Sequence, residues 1–218
     1  MKIKFIAGSK DIEKNVNTPE LSKSLIPNWY KNIPSSNNLI NVKKCVPFLD
    51  AMLYGYTQTT WTDIDVANIN NNLSVSFSHK VPILHYREKS DMPNHNEFYN
   101  TEFIWQRPWS VILPEGYSAL ITHPINRIDL PFYTLSAVVD FDKSCHAKIG
   151  NIPFYIKNGF VGTIPKGTPM FQIMPIKRED WVMEKQQYDE EFWQTKYEER
   201  NNISNFYRKK IWQKKSFS

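Results

Sequence analysis

Asp140 and Asp142 close an apolar run, Val138-Val139-Asp140-Phe141-Asp142, and are the residues here best spaced for chemistry. Residues i and i+2 of a strand point to the same face. Both carboxylates would therefore face one way and Phe141 the other. A carboxylate held beside a substrate phosphate can take a proton from water, which is general-base catalysis. The plainer reading is a strand-end pair that caps a turn or stays solvated. Upstream, His123-Pro124-Ile125-Asn126-Arg127 gathers an imidazole, an amide and a guanidinium that could meet an anion together. Its plainer reading is a turn in which His123 packs or bonds to backbone.

A second set of residues suggests metal chemistry. His79 and His85, with His95 and Glu97, offer imidazole and carboxylate ligands of the kind that hold Fe, Mn or Zn in a cupin-like oxygenase. The tight His-x-His spacing of such sites is missing, and Pro82 breaks the strand between the pair, so ordinary strand histidines are expected and no metal set is assigned. Cys145 and His146 are adjacent rather than arranged as nucleophile and base. Tyr99, Phe103, Trp105, Trp109 and Trp61 could stack on bases or sugars, but filling the core is the expected role. No phosphate-binding glycine loop or dinucleotide fingerprint is present, and the residues specify no cofactor.

The elements that must position these groups read as short strands. Lys2 to Ala7 alternates and predicts a first strand. Leu25 to Lys31 predicts one helical turn with Trp29 and Tyr30 covering apolar surface. Pro47 argues against a central strand or helix interior at that point. Thr57 to Val66 predicts one strand with Asp63 and Asp65 on one face. Leu73 to Ser78 alternates strictly. Phe98 to Trp109 is aromatic and opens the densest β block. Two Pro-x-Gly turns, Pro114-Glu115-Gly116 and Pro165-Lys166-Gly167, punctuate that block. Pro is expected to preset φ there and Gly to supply a conformation that other residues avoid. Residues 177–215 lack Pro and Gly, and aromatics recur at Tyr188, Phe192, Trp193 and Tyr197, then at Phe206, Tyr207, Ile211 and Trp212. That spacing predicts an amphipathic helix interrupted near Asn201-Asn202. Acids dominate 189–199 and bases 208–215, an order that complements a helix dipole.

Taken in order, the Pro-x-Gly-Tyr turn, His-Pro-x-Asn-Arg, Val-Val-Asp-x-Asp, a strand with Asn, a second Gly turn and a Gln resemble the core of the dUTPase and dCTP deaminase superfamily, a β-clip fold. The matching positions are Gly116, Tyr117, Asp140, Asp142, Asn158, Gly167 and Gln172, over about a third of the chain. The resemblance implies that Asp140 helps to activate water and hold a sugar, and that Asn158 and Gln172 join His123, Asn126 and Arg127 as ligand contacts. Three departures stand beside it. The Arg-Ser-Ser phosphate signature is replaced by His123–Arg127, the Tyr expected after the second Asp is Lys143, and the closing Gly-rich segment gives way to a charged helix. The chain also resembles an uncharacterised family from marine T4-like phages, through Ile26 to Tyr30, Cys45 to Met52, Gly55-Tyr56 and Lys177 to Trp181. That likeness implies no activity.

With 218 residues and 41% hydrophobic content, the chain is long and apolar enough for a packed core and too apolar for disorder. The 14 Pro against 7 Gly favour short strands and rigid turns. A net charge of +5 permits a polyanion partner, though much of the excess sits near the C-terminus and reads as a solvated basic tail. The two cysteines, Cys45 and Cys145, predict buried reduced thiols rather than a disulfide framework. No stretch predicts a signal peptide or a membrane span, so a soluble cytoplasmic protein is expected, in the host cell if phage-encoded. The expected architecture is mainly β, a dUTPase-like β-clip or related antiparallel barrel or sandwich over 1–176 (core about 105–176), with a helical extension over 177–218. The leading functional expectation is a noncatalytic ligand- or partner-binding protein, with a homo-oligomer and a nucleotide or other anion as its candidate partners. The alternative is a nucleotide or phosphate-ester hydrolase with Asp140 as base.

Overall fold

The computed structural model describes residues 1–34, 41–69, 72–87, 95–143, 151–202 and 206–216. The Cys145-His146 pair lies outside them. The strands are β1 (Lys4–Ala7), β2 (Glu20–Leu21), β3 (Tyr56–Thr59), β4 (Ile64–Ile69), β5 (Asn72–Ser76), β6 (Leu84–Tyr86), β7 (Phe98–Gln106), β8 (Trp109–Ile112), β9 (Tyr117–Thr122), β10 (Phe132–Thr134), β11 (Ala137–Val139), β12 (Asn151–Lys157), β13 (Gly162–Ile164) and β14 (Pro169–Lys177). Four helices join them: α1 (Lys10–Asn15), α2 (Asn28–Lys31), α3 (Val46–Leu53) and α4 (Glu190–Asn202). Every strand pairing among the described residues is antiparallel, so the protein is mainly β, as its alternating runs and turn signals predict.

The larger sheets run β11-β9-β14-β3-β2 and β10-β12-β7-β6. A three-stranded sheet, β13-β4-β5, and the β1-β8 pair complete the set. The central strands lose the simple in-out alternation because both their faces are covered. Glu102 to Trp105 of β7 are buried in succession, as are Pro169 to Met174 of β14. The aromatic cluster fills the core rather than a surface platform. Trp61, Phe103 and Trp105 are fully buried, and Trp105 stacks on Phe154 with ring centroids 3.6 Å apart, while Phe132 meets it edge-on. Each indole N–H still finds an acceptor: Val81 O for Trp61, Thr134 Oγ1 for Trp105 and Asn17 O for Trp109. That is the usual condition for burying tryptophan.

Several local expectations change. The single strand over Thr57 to Val66 is two strands in different sheets. Thr60 forces the break: its N–H donates to Thr168 O and its hydroxyl to Pro165 O, and its carbonyl accepts from Gly167 N. Asp63 consequently leaves the strand and accepts from Lys166 N, while Asp65 accepts from Thr163 Oγ1. Both Pro-x-Gly turns form, with Gly116 at φ 81° and Gly167 at φ 86°. Pro114 and Pro165 occupy the first turn position, where their carbonyls accept from Tyr117 N and Thr168 N. The proline ring therefore does not set the central φ of either turn. Pro47 sits in the first turn of α3, where its missing N–H costs nothing. Cys45, expected to be buried, is exposed because it occupies the cap position just before α3.

The C-terminal helix is shorter than its aromatic spacing suggests. Residues 178–189 have no regular structure, and α4 starts where the Asp189 carboxylate accepts from Phe192 N at 2.9 Å. A π-helical turn follows at Tyr207–Ile211. The basic tail is not simply solvated. Trp212 Nε1 and Lys215 Nζ both donate to Asp50 Oδ2 on α3, at 2.8 and 2.5 Å.

Gly55 fixes the approach of α3 to β14. It has φ 77°, and a Cβ there would lie 2.3 Å from the Ile173 carbonyl oxygen. Both facts oppose any side chain, so Gly55→Ala is expected to cost on the order of 1–3 kcal/mol. Urea denaturation of the two proteins checks this, and an unchanged midpoint would refute the close approach.

Candidate functional site

Three strand ends bring the two aspartates to one place: the start of β9, the end of β11 and the end of β14. Val139 pairs with Ala119, and Lys177 pairs with Tyr117. The next residue after each strand then falls beside the Pro114–Gly116 turn. Phe141 points into the core at 2% exposure. Residues 140–142 lie beyond the end of β11, in a turn where Phe141 N–H bonds back to Val139 O, so strand spacing does not place the two carboxylates. The space between them is taken by Arg178. Its Nη1 donates to Asp142 Oδ1 at 3.0 Å and reaches Asp140 Oδ1 at 3.4 Å, and its Nη2 donates to Asp142 Oδ2. Nη1 also donates to Tyr117 O and Ser118 Oγ, both at 3.1 Å.

The two carboxylates differ in environment. Asp142 is sealed, with a side chain 1% exposed, and accepts in addition from Gly116 N at 2.9 Å. Hydrogen bonding from Arg178, helped by the Gly116 N–H, holds its carboxyl down at about 2, against the burial that would raise it. Asp140 is 61% exposed and accepts from Ser118 Oγ at 2.5 Å.

The anion-binding candidates lie at the other end of β9. From Ser118 to His123 is five residues, roughly 17 Å along a strand. His123 Nε2 donates to Arg127 O at 3.0 Å and its Nδ1 accepts from Thr134 N at 3.3 Å, so both ring nitrogens are engaged. The ring stacks on Tyr133, and burial pushes its pKa down, which keeps it neutral. Asn126, at φ 62°, forms the turn and donates to Phe48 O. Arg127 makes a forked pair with Asp129 through Nε and Nη2, at 2.9 Å each, and Trp29 Nε1 donates to the same carboxylate. Burial raises the Asp129 carboxyl, but the Arg127 bonds outweigh it and the net shift is downward.

Gln172 joins this second group by register, opposite Thr122. It is buried, its Oε1 accepts from Ile125 N, and its Nε2 donates to Ala51 O and Tyr54 O. The void beside Gln172 and Arg127 measures about 20 Å³. That is room for about one water molecule. Asn158 stands apart after β12, where it donates to Asn96 O. The candidate residues thus fall into three separate places. A mostly apolar cleft of about 230 Å³ between Ile3, Leu21, Tyr54, Tyr56, Pro114 and Tyr117 is lined by none of them.

His79 accepts from Val81 N, and His85 Nδ1 lies 2.5 Å from Gln106 Nε2. Among the described residues, no three His, Cys, Asp or Glu side chains gather as a metal-ligand set. Sequence reasoning missed Arg178 and Asp129. Arg178 lies 36 residues beyond Asp142, and no spacing rule joins them; the join exists only because β14 pairs beside β9. Asp129 was open to inference, since it stands two residues from Arg127.

No family model matches the sequence, and no curated protein matches it. Similar solved structures are phage dUTPases. A mutant dUTPase from phage phi11 of S. aureus, with a coordinated structural Mg(II) ion, is 14% identical over 87% of this chain and 98% of that one, with a TM-score of 0.38. Another structure of the phi11 dUTPase, showing a species-specific insert, is 13% identical over 87% and 97%, with a TM-score of 0.37. The dUTPase of Staphylococcus bacteriophage 80alpha with dUpNHpp is 13% identical over 87% and 89%, at 0.38. Likeness at this level carries no argument about chemistry in this chain, and the mainly β description rests on its own strand pairings.

The low carboxyl of Asp142 has a consequence for acid stability. The unfolded value is near 3.8 and the folded value about 2. The ion pair therefore stabilises the fold at all pH above the unfolded value, and this contribution is lost as pH falls through the folded one. Urea midpoints measured across that window should drop more steeply for the wild type than for Asp142→Asn. Parallel curves would show that Arg178 does not hold the carboxylate in solution.

Proposed function

We propose that this chain is a noncatalytic β protein that acts by binding a partner through surface away from the Asp140–Asp142 cluster. One observation carries the reading: each arginine near the candidate residues is already paired to an aspartate. A phosphate-ester hydrolase needs a cation free to meet phosphate and a carboxylate free to meet water. Here Arg178 lies between Asp140 and Asp142, and Arg127 is forked onto Asp129. The C-terminal segment supports the binding half of the proposal. Trp181, Val182 and Met183 are 86–93% exposed, and Phe192, Trp193 and Tyr197 are about half exposed. So much contiguous apolar surface outside a core marks a contact element. No helix among the described residues is long and apolar enough to cross a membrane. A phage origin, suggested by the Ile26–Tyr30 and Cys45–Met52 segments, belongs to the same proposal.

One feature favours the hydrolase as a second reading. Asp140 keeps an oxygen open to solvent, and Ser118 orients the other. A panel of nucleoside triphosphates with Mg²⁺ separates the two. The binding reading expects no phosphate or diphosphate release above background. Turnover that Asp140→Asn abolishes would overturn it.

A further inference from the structure

The C-terminal segment carries two charge blocks of opposite sign in tandem. Residues 189–199 hold Asp189, Glu190, Glu191, Glu198 and Glu199 against one Lys196, and residues 208–215 hold Arg208, Lys209, Lys210, Lys214 and Lys215 with no acid. Every residue of 189–199 and every base of 208–215 is exposed. Half-exposed aromatic and aliphatic side chains ride with both blocks: Phe192, Trp193 and Tyr197 on α4, then Tyr207 and Ile211 on the following turn. Among the described residues, none of Glu190, Glu191, Arg208, Lys209 and Lys210 forms an ion pair; Lys196 pairs with Glu199 and Lys215 with Asp50.

Among the described residues no ion pair joins the two blocks within one chain. Asp189, Glu190 and Glu191 open α4, which is 13 residues long, so they stand roughly 20 Å from its end. A second copy running the opposite way supplies partners to both blocks. An acid-then-base segment is self-complementary when antiparallel, because a twofold axis between the blocks sets each acidic stretch against the other copy's basic stretch. The same arrangement covers the exposed rings of both copies. The basic block is also held for such a contact, since Trp212 and Lys215 fasten it to Asp50 on α3.

We propose that this protein pairs with a second copy of itself by antiparallel contact of residues 189–199 of one copy with residues 208–215 of the other, acidic block on basic block. The proposal rests on the binding reading and names its partner. Sedimentation velocity of the full chain at low ionic strength is the test. The wild type sediments as a dimer, and added salt dissociates it, as exposed charge pairs require. Glu190→Lys/Glu191→Lys weakens self-association by on the order of 100-fold, as does Lys209→Glu/Lys210→Glu. Mixing the two reversed proteins restores a dimer, which also shows that both remain folded. A monomeric wild type, dimers indifferent to reversal, or no recombination on mixing would each overturn the pairing. Those outcomes leave the noncatalytic reading standing, since the nucleotide assay decides that separately.

Discussion

A buried amide needs all its partners, and Gln172 obtains them from two distant parts of the chain. Its carbonyl oxygen takes the Ile125 N–H, and its amide nitrogen donates to Ala51 O and Tyr54 O. Each of these groups, left unsatisfied out of water, would cost about 1–3 kcal/mol. Satisfying them at once fixes the end of α3 and the 123–127 turn against β14. Gly55 is the steric counterpart, because only a residue without Cβ lets the α3–β3 connection come this close to Ile173. β14 in turn sits between β9 and β3 and is buried along most of its length. The larger sheet therefore owes its register to a polar residue in its most buried strand.

The residues that look like a binding set are also tied into the fold. His123, Asn126 and Arg127 lie on the turn that Gln172 holds. The turn has its own carbonyls and N–H groups to satisfy, and His123 and Asn126 supply much of what it needs. Arg127 would be a buried charge at 13% side-chain exposure without Asp129 beside it. An isolated buried guanidinium is far more costly than a paired one. The same chemistry that recognises phosphate, a forked guanidinium with nearby donors, also recognises a carboxylate of the same chain.

The legible part of the sequence was the part governed by local rules. β5 follows from alternation, and the two Gly turns from the need for φ above zero. The burial of Trp61, Trp105 and Phe103 follows from their size. What was illegible depends on contacts between distant segments. Thr60 breaks a run with high strand propensity because a loop more than a hundred residues away offers it four hydrogen bonds. Arg178 meets the acidic pair because β14 ends beside β9. The dUTPase-like order of motifs therefore identified the residues at this corner without identifying the group that occupies it.

Whether the Arg178 clasp can open depends on how its two aspartates are solvated. At 36% side-chain exposure Arg178 is partly wet, and its contact with the open Asp140 is the kind that water replaces readily. Asp142 is different. With Arg178 in place its side chain is 1% exposed, and it also accepts from the Gly116 N–H. Moving the guanidinium aside would break both of its bonds to this carboxylate. The backbone resists the motion too, because Arg178 N is itself bonded to Gly116 O at 2.9 Å. Asp142 thus anchors the arginine, while Asp140, 61% exposed and touched by Arg178 only at 3.4 Å, keeps an oxygen open to solvent. The two acids of one motif therefore differ in kind: one is fastened to the closure of three strand ends, and the other stands at its edge.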